Sequence, residues 1–393
     1  MKPLLSIVIP TKNRQKYAFL TIKNILSIDH RLLELIVHDN SDSNILEKQL
    51  LECTNDNRLV YHYDNRPLST VHNFDYAMKF VSGKYVCYIG DDDGINPEIM
   101  KIIEWANENN LDAVIPSNPV TYAWPSVKNS GKLTFYPFTK KYKQIDVAKN
   151  LNMFLKSGAV YYLNYEVPKV YHGIVKRECF DQVYNKLGYY FGGLSPDIFA
   201  SIAISSFYPK KVVSIDYPIT IAGTSYESDQ THRTDEAKNK KLSNAPHFNN
   251  RGPYEWSNSV PSVYSGSSIW AESGIHALED LSRFDLIYKI NKQKMVAEIS
   301  IDSPKNEKLM LDTFLNPNKY MRIKLIYHLQ KNKMRFEKIL KKIVDRLFRI
   351  FSRKKIIVFN DIESIDIALR KMNKYFNKND MSIGCLLEDN YYE

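Results

Sequence analysis

The amino-acid sequence predicts an α/β protein built on a mainly parallel sheet with helices on both faces. Two observations predict it. Through the first 116 residues, apolar runs of strand length alternate with amphipathic segments of helix length, the order expected when each strand is followed by a crossover helix. The runs over 4–9 and 33–37 are apolar at nearly every position, as strands buried on both faces are.

In chain order the pattern gives a strand over 4–10, a helix over 17–28, a strand over 33–39 and a helix over 45–52. A strand over 59–63, a helix over 70–81 and a strand over 85–90 follow. A helix over 97–109, with Pro97 in its first turn, and a strand over 113–116 complete this half. Residues 117–145 are rich in Pro, Ser, Tyr and Lys without clear periodicity and are expected to form a long surface excursion beside a binding cleft. Periodicity returns with a helix near 148–156, a strand near 170–175, a helix near 196–205 and a strand near 211–216; residues 223–260 again have loop composition. The expected organisation is one domain over 1–290, with halves at 1–116 and 117–290, and a basic, mostly helical extension over 291–393.

A chain of 393 residues with 44% hydrophobic content can bury a large core, and its formal charge of +10 favours an acidic partner. Nucleic acid, an anionic membrane and a phosphate-bearing substrate all meet that description. Cys53, Cys87, Cys179 and Cys385 lie far apart with no CxxC pair, which points to a reducing compartment without a structural metal or disulfide framework. The apolar run at 4–9 is too short for a signal peptide, and no segment approaches the about 20 apolar residues of a spanning helix, so a cytoplasmic protein is expected.

In a doubly wound sheet, ligands sit beyond the carboxyl ends of the strands. Three such ends are unusually polar: Pro10-Thr11-Lys12-Asn13-Arg14, Asp39-Asn40-Ser41-Asp42 and Asp91-Asp92-Asp93. Two carboxylates about 4 Å apart repel by roughly 4 kcal/mol at an effective dielectric near 20, so the triplet calls for a cation or strong donors. A divalent metal answers that need, and a solvated turn or helix cap is the plainer alternative. Lys12 and Arg14 are suited to phosphates or a base, and Asp39 to a base or ribose. Together the three ends make one nucleotide-diphosphate site.

The segments Leu5–Arg14 and Ile36–Ser41, then Asn73, Ser82-Gly83-Lys84-Tyr85-Val86 and Tyr88-Ile89-Gly90-Asp91-Asp92-Asp93, resemble the family 2 glycosyltransferases in order and spacing through about residue 100. The resemblance implies a GT-A fold, a nucleoside-diphosphate sugar donor with UDP the commonest, Mn²⁺ or Mg²⁺ on the acidic motif, and inversion at the sugar carbon. Many relatives build bacterial surface polysaccharides. On it, 1–116 is the nucleotide-sugar half and 117–290 the acceptor side. The donor contacts would be Pro10, Thr11, Asn13, Arg14, Asp39, Asn73, Asp91 and Asp92, and the metal ligands Asp92 and Asp93. Gly90 stands where the motif most often has its first Asp.

Relatives place the catalytic base at a helix start beside a Gly-rich loop, and Gly192-Gly193-Leu194-Ser195-Pro196-Asp197 matches, making Asp197 the candidate. Ser195 as helix cap is the structural counterpart of that reading. His172 could meet substrate, and His232, in the hydroxyl-rich stretch after Ile221, stands where some relatives have a metal ligand.

From 319 to 355 the chain holds about a dozen more basic than acidic residues, interleaved with apolar residues at helical spacing. Such a helix suits an anionic membrane surface, with packing on the domain or on a second subunit as the alternative. The partners expected are therefore a nucleoside-diphosphate sugar and a glycan or lipid-linked acceptor, with peripheral attachment to the inner face of the cell membrane, a homo-oligomer as a further option, and no nucleic acid. Competing readings are an inactive sugar-nucleotide-binding scaffold and a nucleotidyltransferase, although the first strand end lacks the glycines of a phosphate loop.

Overall fold

The computed structural model describes residues 2–125, 131–226, 246–315, 321–351 and 356–383. The chain opens with β1 (Leu5–Thr11), α1 (Gln15–Leu26), β2 (Leu33–Asp39), α2 (Ile45–Cys53), β3 (Leu59–Tyr63), α3 (Thr70–Met78) and β4 (Tyr85–Tyr88). Next come β5 (Gly94–Ile95), α4 (Ile99–Glu108) and β6 (Ala113–Pro116). The alternation expected from the sequence is present, and β1 and β2 are buried almost throughout, as strands covered on both faces should be.

An eight-stranded sheet has the order β3-β2-β1-β4-β10-β6-β11-β9, using β9 (Tyr142–Gln144), β10 (Ile174–Lys176) and β11 (Val212–Ile215). Strands β3, β2, β1 and β4 are mutually parallel, β10 runs antiparallel to both β4 and β6, and β9 closes the far edge antiparallel to β11. This is a GT-A-like sheet flanked by helices. The carboxyl ends of β1, β2 and β4 lie side by side, so the three polar strand ends converge through the register alone: Thr11 pairs with Asp39, and Val8 with Tyr88.

Residues 117–145 are not the irregular excursion expected. They contain β7 (Val120–Ala123) and β8 (Lys132–Phe135) as well as β9, and β7 and β8 enter a second, five-stranded sheet of order β13-β8-β7-β12-β5. Its other members include β12 (Thr220–Thr224) and β13 (Ile357–Phe359). The alternation in β7 and β8 covers only four residues each, and β8 pairs with residues as far along the chain as Phe359, so local pattern could not reveal them. Gly223 in β12 is a close-approach glycine: a Cβ there would sit 1.8 Å from the Asp92 carbonyl oxygen.

Helices α5 (Val147–Lys156), α6 (Arg177–Leu187) and α7 (Pro196–Ser205) pack on one face of the large sheet with α8 (Gly266–Asp280). A helical tail continues through α9 (Phe284–Ile287), α10 (Lys292–Asp302), α11 (Glu307–Met310) and the long α12 (Met321–Phe351). The chain then returns: β13 pairs with β8, and α13 (Ile365–Lys378) packs against α1 and β5. Phe376 of α13 meets Phe135, Phe138 and Tyr217 edge-on or tilted, and is 1% exposed. Glu98 accepts from the Ile383 N–H at 3.0 Å and from Ser382 and Tyr217.

The end of the chain therefore completes the core of its beginning. Phe376→Ala should destabilise the whole chain by about 3–5 kcal/mol, the usual cost of emptying a buried aromatic site. Urea denaturation measures it, and a loss below about 1 kcal/mol would show that α13 is not part of that core.

Candidate functional site

The three converging strand ends form one hydrogen-bonded cluster. Thr11 Oγ1 donates to Asp91 Oδ2 at 2.6 Å. Arg14, which begins α1, reaches Asp91 Oδ1 with Nη1 at 3.1 Å, and Asp92 Oδ2 with Nη2 at 2.6 Å. The same Nη2 lies 2.5 Å from Ser225 Oγ, while the Ser225 N–H donates to Asp92 Oδ2 at 3.0 Å. Ser225, just after β12, thus packs against the acidic residues. All three Asp side chains are buried, and burial raises the Asp91 and Asp93 carboxyls above the usual range, opposed by Arg14 at Asp91 and His172 at Asp93.

The three carboxylates are not equivalent. Asp93 has both oxygens engaged: Oδ2 accepts from the Gly90 N–H at 2.6 Å and Tyr171 Oη at 2.8 Å, with His172 Nε2 at 3.4 Å, and Oδ1 accepts from the Gly223 N–H at 2.6 Å. Asp91 Oδ1, by contrast, is a buried oxygen without a hydrogen-bond partner beyond its ion pair with Arg14. Asp92 carries its hydrogen bonds on Oδ2, and its carbonyl accepts from Trp124 Nε1 at 3.0 Å. Gly90 has a physical reason to be Gly: a Cβ there would lie 2.5 Å from Tyr171 Oη and 3.0 Å from Asp93 Oδ2.

The remaining residues of these strand ends frame the cluster. Asn13, at φ 56°, bridges two strand ends: its N–H donates to Ser41 Oγ at 2.8 Å, its Nδ2 to Asp42 at 2.8 Å, and its Oδ1 accepts from the Asp42 N–H at 2.9 Å. Lys12 Nζ donates to Asn40 Oδ1 at 3.1 Å. Asp39 is fully buried, with Oδ1 accepting from the Ser41 N–H and hydroxyl and Oδ2 from Tyr61 Oη at 2.6 Å. Asn73 Nδ2 donates to the Thr11 carbonyl at 3.1 Å, and its Oδ1 accepts from His38 Nδ1 at 2.7 Å. Pro10 sits in β1 opposite His38.

Beside these residues, His38, His62 and Asp64 offer ligand atoms within 4.8 Å of one another. Asp64 is already held by Arg66, whose Nε lies 2.9 Å from Oδ1 and whose Nη2 lies 2.5 Å from Oδ2, and that cation pushes the Asp64 carboxyl down to about 2. The ion pair and the stacked His38 and His62 rings account for the cluster without a metal.

On the other side of β4, Asp197 stands in the first turn of α7 behind Pro196. Ser195 is the N-cap residue, but its side chain does not cap the backbone as expected; Ser195 Oγ donates to Asp197 Oδ1 at 2.9 Å. Tyr162 Oη donates to Asp197 Oδ2 at 2.9 Å. Lys169 Nζ donates to the Tyr162 carbonyl at 2.8 Å and lies over the Tyr162 ring at 4.1 Å. Tyr162 and Lys169 carried no motif, and their proximity to Asp197 is a product of the fold. From Lys169, residues 170–172 lead back to Asp93 through Tyr171 and His172, roughly 10 Å of extended chain. His232 lies outside the described residues.

The profile of Glycosyl transferase family 2 matches residues 6–163, which contain β1, β2, β4 and the whole acidic cluster. Over these residues the chain is similar to that family. WcaA of Escherichia coli (strain K12), whose name assigns it to colanic acid biosynthesis as a glycosyl transferase, is 34% identical over 103 residues, 25% of this chain and 36% of WcaA. The glycosyltransferase RC0461 of Rickettsia conorii is 27% identical over 109 residues, 27% of this chain and 18% of its own length. The chain thus matches well under two thirds of either relative. Among solved structures, S. aureus TarS 1–349 in complex with UDP-GlcNAc aligns at TM-score 0.47 and 13% identity over 84% of this chain and 92% of its own. The mannosyltransferase PcManGT from Pyrobaculum calidifontis, in complex with GDP-Man and Mn²⁺, aligns at TM-score 0.39 and 15% identity over 84% of each chain.

Burial pushes the Lys169 ammonium down to about 7, with Asp197 and Glu166 opposing. An unfolded lysine keeps its proton to about 10.4, so between about pH 7 and 10.4 the unfolded chain binds more protons and this group's destabilising effect fades as pH rises. Lys169→Met should therefore be the more stable protein at pH 7, and its advantage should shrink toward pH 10. Chemical denaturation across that range measures it, and a pH-independent difference would refute the buried-ammonium account.

Proposed function

We propose that this chain is an inverting glycosyltransferase that moves a sugar from a nucleoside-diphosphate donor, UDP by preference, to a hydroxyl of a glycan or lipid-linked acceptor in bacterial surface polysaccharide synthesis. One observation carries the reading: within the residues similar to family 2, Thr11, Arg14, Asp91 and Asp92 from separate strand ends share one buried, ion-paired cluster.

The donor set suits a hard divalent cation. The orphaned Asp91 Oδ1 and the free Oδ1 of Asp92 are anionic oxygens of the kind Mg²⁺ and Mn²⁺ take, whereas Asp93 has its oxygens engaged by Tyr171, Gly90 and Gly223 and positions the turn. Asp92 would be the principal ligand, with Asp91 beside it. A cation bound there offsets charge on the leaving diphosphate. Arg14 supplies the compensating charge to both carboxylates when no donor is present and is placed to turn its guanidinium toward a diphosphate. Thr11 and Asn73 hold the end of β1 in place, and Pro10, Asn13 and Asp39 fix the adjoining wall for the nucleoside.

Asp197 is the base in this reading. Two hydroxyl donors, Ser195 and Tyr162, orient its carboxylate toward the acceptor, whose proton it takes as that oxygen attacks.

Calorimetry with UDP, with Mn²⁺ and with chelator, tests the donor site. Binding should require the metal and be lost in Asp92→Asn, with the fold retained. Asp197→Asn should keep that binding and lower turnover by about 10²-fold or more. Near-normal turnover in Asp197→Asn would remove it as the base, and UDP binding that ignores both chelator and Asp92→Asn would remove the metal site.

A further inference from the structure

We propose that α12 is a membrane-docking element whose outward face lies on a bilayer surface rich in anionic headgroups. Its inward face is tied to the fold. Tyr327 is fully buried and donates to Glu307 Oε1 at 2.7 Å, the buried Lys331 pairs with the same Glu307, and Lys338 lies 2.5 Å from Glu298 Oε2 and 3.4 Å from Tyr161 Oη. On the opposite face Leu325, Leu329, Phe336, Ile339, Leu340 and Ile343 are each 46–64% exposed. At about 100° per residue these positions fall within an arc of about 100°, an apolar stripe interrupted by the exposed Asn332.

The rim of the stripe is basic. Lys324, His328 and Arg335 border one side and Lys333 the other, and all four are exposed. Glu337 is offset by Lys333 at 3.8 Å. An apolar stripe edged by cations matches an anionic bilayer surface, where the acyl boundary takes the Leu, Ile and Phe side chains and the headgroups meet the Lys and Arg. A second copy of the chain would set two cationic rims against each other, in a protein already at +10. Nucleic acid would use the cations and leave the stripe in water. Among the described residues no helix is long and apolar enough to cross a membrane, so attachment through α12 is attachment at the surface.

The geometry relates docking to the site. Tyr161, contacted by Lys338, precedes Tyr162, which donates to Asp197. The docked face therefore lies across α12, about one helix diameter or roughly 10 Å, from the side that contacts Tyr161, the neighbour of the residue that holds Asp197. That placement suits an acceptor carried on a lipid, a point that rests on the proposed transferase reading; the docking itself does not.

Flotation of the purified full chain with vesicles tests the inference, using phosphatidylcholine alone and phosphatidylcholine mixed with phosphatidylglycerol, with no donor or acceptor present. The chain should float with the mixed vesicles, remain below with the neutral ones, and be released by salt. The exposed double variants Phe336→Ser/Ile339→Ser and Lys333→Glu/Arg335→Glu should each lower the bound fraction about tenfold or more while keeping the wild-type thermal melting curve and UDP binding. Flotation in a chain that fails to bind UDP would uphold docking and count against the donor site alone. No flotation, equal recovery on neutral vesicles, or a sedimenting dimer that Phe336→Ser disperses would overturn the proposal, the last by assigning the stripe to a second copy.

Discussion

Three consecutive carboxylates are packed almost out of water at the end of β4, and the surrounding structure is organised by the need to stabilise them. Roughly 4 kcal/mol of repulsion acts between neighbouring charges at about 4 Å and an effective dielectric near 20. The fold meets it with Arg14 and Thr11 from the first strand end, Ser225 and the Gly223 N–H from β12, Tyr171 and His172 from the approach to β10, and Trp124 from β7 on the Asp92 carbonyl. These donors come from segments as far apart in the chain as Thr11 and Ser225. The acidic turn therefore joins the two sheets as well as marking the site.

The division of labour among the three follows from those partners. Asp93 fixes the turn, and Gly90 is tied to it: the Tyr171 hydroxyl that satisfies Asp93 fills the space a side chain at 90 would need. Asp91 and Asp92 keep oxygens turned toward Arg14.

Much of the first half was legible because parallel strands buried on both faces must be apolar at every position, as Leu5–Thr11 and Leu33–Asp39 nearly are. The strand ends were legible for the complementary reason: Thr11, Arg14 and Asp91 interrupt those runs where a doubly wound sheet exposes its ligands. The second sheet was not, because β7 and β8 are four residues each and take their partners from β12 and β13. The same limit hid the partners of Asp93 and Asp197. Nothing near Tyr171, Gly223 or Tyr162 in the chain signals that they meet a carboxylate tens of residues or more away. The packing of α13 against the first half of the chain depends likewise on Phe376 finding Phe135 and Tyr217, a contact no local period encodes.

The central claim is that the Arg14–carboxylate cluster is a donor site held in its donor-free arrangement. A crystal structure of the chain with UDP and Mn²⁺ tests it most directly. The account predicts the cation on Asp92, the diphosphate against it, and Arg14 drawn off at least one carboxylate toward a phosphate oxygen. Nucleotide bound away from the β1 and β4 ends, with both Arg14 ion pairs intact, would contradict it.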